Sequence, residues 1–190
     1  MFYHASQTHC IEVLEPRISQ HERPLVYFSK KRENVLAYLS NAIEKYCHET
    51  GFPYEPPYRK WASYGFHNGL ARLDEYYPNA LEDTYRGVSG YIYAVETVPG
   101  GETQADIPDA VVTGQPVPVS GCEFVPDAYE AILEAEEAGL ILIRRYADLP
   151  ESMLTWLDGC IKQQYMAARE IPTYRHFLEG KFPEIIGGLE

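Results

Sequence analysis

Between Lys30 and about Glu49 the apolar side chains Val35, Leu36, Leu39, Ile43, Tyr46 and Cys47 return at helical spacing. Residues three and four apart share one side of a helix, so this stretch predicts an amphipathic helix with a face to bury. Just before it, after Pro24, the run Leu25-Val26-Tyr27-Phe28 reads as a buried strand, and Ser29 suits a helix N-cap. Gly51 followed by Pro53 is the expected stop. The predicted packing sets Val35, Leu36, Leu39 and Ile43 against a sheet.

The strands for that sheet are read from short apolar or alternating runs at 2–6, 11–14, 25–28, 90–97, 122–125 and 140–146. Those at 2–6, 25–28, 90–97 and 140–146 are expected in one sheet system. Short helical stretches are expected at 70–76 and, after Pro78, at 79–85 with Gly87 as stop. Asp127 with Glu130 three residues on predicts the start of another helix, and Gly139 its end. A long helix is expected from about Glu151 to Arg169, followed by an aromatic tail. Residues 98–121 read as loop because glycine and proline recur there, and the aromatic, proline-rich segment 52–68 either packs on the core or lines a site. Strands and helices mix without regular βαβ alternation. The expected fold is therefore α+β, a mixed or split β-sheet flanked by helices, in a single domain over 1–190.

Composition narrows the function classes. The chain has 190 residues, a formal net charge of −12 and 45% hydrophobic residues, which suits a globular protein with its own core. The acidic balance opposes binding of bulk nucleic acid and leaves room for a small anion in a local pocket. Cys10, Cys47, Cys122 and Cys160 form no CxxC pair, and the histidines form no HExxH, so free thiols and no metal site are expected. No apolar stretch is long enough to span a bilayer, and no leader-like pattern opens the chain, so a cytoplasmic location without membrane partners is expected. Dinucleotide, phosphate-loop and nucleophile-elbow motifs do not occur.

Three strand-borne segments remain. They are Tyr3-His4-Ala5-Ser6, then Val26-Tyr27-Phe28-Ser29 leading into a helix with Ala37-Tyr38, and finally Cys122-Glu123-Phe124-Val125 downstream of Tyr91-Ile92-Tyr93. Together they resemble the ADP-ribosyltransferase superfamily in its His-Tyr-Glu branch, the poly-ADP-ribose-polymerase and diphtheria-toxin type. Ala5 stands where that family usually carries glycine. The chain as a whole is also similar to a small group of bacterial proteins, a likeness that brings no activity with it.

The resemblance implies an ADP-ribosyltransferase-like fold and NAD as substrate, with an unknown intracellular protein as target. It implies that His4 hydrogen-bonds a ribose and that the backbone at Ala5 meets the nicotinamide amide. Tyr27 would stack on the ring, Tyr38 would be a further NAD-binding residue, and Glu123 would be the catalytic carboxylate. Cleavage of the nicotinamide–ribose bond develops oxocarbenium charge, which a carboxylate beside the sugar stabilises, and a tyrosine face stacks on a flat ring. Glu96 competes with Glu123 for the carboxylate role. The alternative is a non-enzymatic binding or regulatory protein with a degenerate pocket. Each residue also has a plain reading: His4 as a structural histidine, Tyr27 and Tyr38 as core, and Glu123 as a solvated strand residue. The run Glu134-Glu136-Glu137 reads as a solvated face, and Arg144-Arg145 as an anion-binding cluster or, more simply, as ion pairs with the acidic surface.

Overall fold

Asn41 divides the segment that the apolar spacing reads as one helix. In the computed structural model, which describes residues 1–18, 23–55 and 63–188, a 3₁₀ helix runs over Glu33–Tyr38 and an α-helix, α1, over Ala42–Thr50. Asn41 is extended between them, and its side-chain oxygen accepts from the Ile43 amide at 3.3 Å. That is an N-cap, which an unbroken helix has no use for. Val35, Leu36, Leu39 and Ile43 are all buried, the first three in the cluster between the sheets as expected, but Ile43 against helices instead of a sheet, and Gly51 closes α1 with φ of 69°. Ser29 does not cap: its hydroxyl accepts from the Lys31 amide and from Asn34 Nδ2.

The strands are β1 (Phe2–Ser6), β2 (Val13–Leu14), β3 (Val26–Ser29), β4 (Ser63–His67), β5 (Leu70–Asp74) and β6 (Gly90–Val95). They continue with β7 (Glu102–Thr103), β8 (Ala110–Thr113), β9 (Val117–Pro118), β10 (Gly121–Val125) and β11 (Ile141–Arg144). The remaining helices are α2 (Ala80–Tyr85), α3 (Ala128–Glu137), α4 (Glu151–Ala167), α5 (Pro172–Lys181) and α6 (Pro183–Ile186), with a 3₁₀ turn at Tyr146–Asp148. A six-stranded sheet has the order β10-β6-β1-β3-β8-β7 and is antiparallel throughout. A separate sheet, β11-β5-β4, pairs β5 antiparallel to β4 and parallel to β11, while β2 and β9 form a small third sheet. The fold is thus α+β with mixed sheets flanked by helices.

Three further expectations change. Residues 70–74 are strand β5, set by a two-residue turn in which Asn68 (φ 51°) and Gly69 (φ 77°) both take positive φ. That geometry joins hairpin strands whose right-handed twist matches the turn. Residues 98–121 hold β8, whose Ala110-Val111-Val112-Thr113 pairs along all of β3. The strand at 140–146 lies outside the six-stranded sheet, as β11 beside β5. Pro56, Pro57, Tyr58 and Trp61 of the aromatic segment fall outside the described residues.

One apolar cluster fills the space between the two larger sheets, joining Ala5 and Ile92 to Leu36, Leu39, Leu73, Ile132 and Ile141. Phe28, Tyr93 and Val95 pack on the opposite face of the six-stranded sheet, beneath β2 and β9. The aromatic tail is helical: Phe177 and Leu178 of α5 pack with Ile43 and Cys47 of α1 and Leu157 and Ile161 of α4. All four cysteines are free. Among the described residues no helix is long and apolar enough to cross a membrane, and no group of three or more His, Cys, Asp or Glu is placed to hold a metal.

Candidate functional site

Strand pairing fixes which side chains of the three resembling segments share a surface. Residues directly opposite across a ladder point to the same face, and neighbours along a strand point to opposite faces. Tyr3 pairs with Ser29, so Ala5 lies opposite Tyr27 and His4 opposite Phe28. Ala5 also pairs with Ile92, and Ile92 with Glu123. Tyr27, Ala5, Ile92 and Glu123 therefore form one rung across four strands, on the face toward the three-stranded sheet. His4 is on the other face, with its ring centroid 6.0 Å from that of Phe28.

The His4 ring is partly buried, and its Nδ1–H donates to the Tyr27 carbonyl at 2.9 Å. Burial pushes the imidazole below its ordinary value of 6.5, against the hydrogen bond, which raises it. This histidine thus ties β1 to β3 in its neutral form. Ala5 is buried and meets the central cluster. Tyr38 ends the 3₁₀ helix, its hydroxyl bonded to that of Tyr64 on β4 and its ring edge-on to Tyr64 with centroids 5.4 Å apart.

Glu123 sits on the outermost strand, about half exposed, and Arg32 grips it with two hydrogen bonds, Nε to Oε2 at 2.9 Å and Nη2 to Oε1. The Arg32 hydrogen bonds hold the Glu123 carboxyl below the usual carboxylate range. The structure brings Tyr27, Ala5 and Glu123 onto one face and leaves the His4 ring on the other. Glu96 follows β6 and is exposed. Arg144, the last residue of β11, and Arg145, which follows it, diverge: Arg145 forms a two-point ion pair with Glu136 of α3, while Arg144 turns to Asp74.

That second arginine belongs to a group the sequence left undivided. On the three-stranded sheet, Gly65 pairs with Arg72 and Asp74 with Arg144, so these residues share the face away from the core. Arg72 binds Asp74 through Nε and Nη2 at 2.8 and 2.9 Å, and Arg144 Nε lies 2.9 Å from Asp74 Oδ1. The start of α4 rises beside them, and the cleft between has a volume of about 560 Å³, with Met153 and Trp156 on its far wall. Trp156 is 56% exposed. Arg72 went unnoticed because its segment reads as helical. The Asn68-Gly69 turn was the signal for the strand that carries it.

No protein-family model, curated protein or solved structure matches the chain. Its site is therefore read from these residues.

Proposed function

We propose that the chain is a non-enzymatic binding protein, and that its transferase-like face is degenerate as a catalytic site. The observation that supports this reading is the two-point grip of Arg32 on Glu123. A carboxylate that stabilises an oxocarbenium ion must present its charge to the sugar, and here both oxygens already face a guanidinium. The His4 ring, bonded to the Tyr27 carbonyl on the opposite face, is out of reach of the same ligand. A second reading, the NAD-dependent mono-ADP-ribosyltransferase acting on a protein target, draws on the rung that Tyr27 and Ala5 share with Glu123.

A calorimetric titration with NAD, followed by an assay of nicotinamide release, separates the two. The binding reading expects no release above background in wild type and the same result in Glu123→Gln. Release by wild type that disappears in Glu123→Gln overturns it in favour of the transferase.

A further inference from the structure

We infer that the cleft between the outer face of the three-stranded sheet and the start of α4 is a binding site for a small ligand that joins an oxyanion to a flat ring. The inference rests on the binding reading above and names its site and ligand class. The anion half comes from charge and geometry. Two guanidinium groups face one carboxylate, Asp74, whose side chain is only 4% exposed. The cluster therefore carries one surplus positive charge in a chain whose net charge is −12.

Asp74 occupies the Nε edge of both arginines. The Arg144 Nε is buried beside Asp74 without a well-directed hydrogen bond, and among the described residues its terminal N–H groups donate to nothing. A guanidinium edge of this kind takes a carboxylate or phosphate through two parallel hydrogen bonds. Asp74 acts as the positioning residue that aims both forks. Gly65 keeps the approach open: among the described residues a Cβ there would meet only the tip of Arg72, at 3.9 Å.

The ring half comes from the opposite wall. Trp156 lines the cleft with its indole more than half exposed, on a helix whose own buried stripe is Leu157, Ile161 and Tyr165. Its exposure contributes nothing to that stripe, and an indole face beside a cationic edge matches an aromatic anion. The cleft volume of about 560 Å³ falls in the range of small-molecule sites.

Two sources share this chemistry, a nucleoside monophosphate and an aromatic carboxylate, and separate titrations with AMP and with benzoate distinguish them. At least one of the two is expected to bind the full chain, and adenosine and inorganic phosphate alone at least about tenfold more weakly. Arg144→Gln removes the open fork and is expected to weaken the bound probe at least about tenfold. Trp156→Ala, at a position more than half exposed and outside the buried stripe of α4, is expected to weaken it about threefold or more, and gives the answer where Arg144→Gln also lowers thermal stability. Absence of binding by both AMP and benzoate at about 10 mM overturns the site. So does undiminished binding by Trp156→Ala together with Arg144→Gln. NAD cleavage dependent on Glu123 overturns the proposed function alone, since Glu123 does not line this cleft.

Discussion

His4 shows how one residue type carries two opposite meanings. In the resembling family it is a ribose ligand, which needs an open ring with a free nitrogen edge. Here the ring lies against Phe28 and donates to the Tyr27 carbonyl, and burial depresses its proton affinity. Unfolded, the imidazole titrates near 6.5, while folded it takes the proton only at lower pH. As pH drops below 6.5 the unfolded chain binds a proton that the folded chain refuses, so stability falls toward acid. His4→Asn retains a donor without a titrating ring, and its thermal unfolding is expected to lose part of the acid sensitivity of wild type between about pH 7.5 and about pH 5.5. Matching pH profiles for the two proteins would show that His4 contributes nothing to it. The residue types at positions 4, 27 and 123 were legible in the sequence. Their faces were not, because strand parity follows from the pairing of Tyr3 with Ser29, and no local pattern announces that register.

At the scale of elements, capping and turn chemistry outvote apolar spacing. Leu39 and Ile43 are four apart and both buried, yet Leu39 packs in the cluster between the sheets and Ile43 in the helical cluster of α4 and α5. The break at Asn41 lets the chain turn from one core to the other, so the same spacing serves two surfaces. Asn41→Ala removes the cap and also the Asn41 Nδ2 hydrogen bond to Tyr54, and is expected to cost about 1–2 kcal/mol by denaturant unfolding. A change within error would mean that α1 is fixed by packing alone. The β4–β5 hairpin teaches the converse. Its Asn68-Gly69 pair was a stronger signal than the weak helical spacing at 70–76, and with Gly69 at φ of 77°, Gly69→Ala is expected to cost about 1 kcal/mol or more. Strand β8 was hidden differently: its β-branched run Val111-Val112-Thr113 is only a few residues long and is flanked by Pro108 and Gly114, which dominate any window placed over it.

Across the whole molecule, α2 links the sheet-borne core to the helical one. Its residues Leu81 and Tyr85 enter the cluster between the sheets, while Ala80 enters the cluster of α1, α4 and α5. Polar bonds run both ways from it: the Tyr85 hydroxyl donates to the Ala37 carbonyl at 2.9 Å, and Lys181 of α5 reaches Asp83 at 2.6 Å. Buried Glu75 accepts from the amides of Leu81 and Tyr146, holding α2 to the segment after β11. With so many interactions shared, neither cluster opens without exposing atoms of the other, and unfolding is expected as one transition. Leu39→Ala, at a fully buried position between the sheets, is expected to cost about 2–5 kcal/mol, and Phe177→Ala, fully buried in α5, about 3–5 kcal/mol. Calorimetry then has a clear expectation: both substitutions shift the same single peak, and the helical signal and the tyrosine signal are lost together. Were Phe177→Ala to split off an early transition in which the β-sheet signal survives, the two cores would be independent folding units, and the α2 bonds would be contacts between domains.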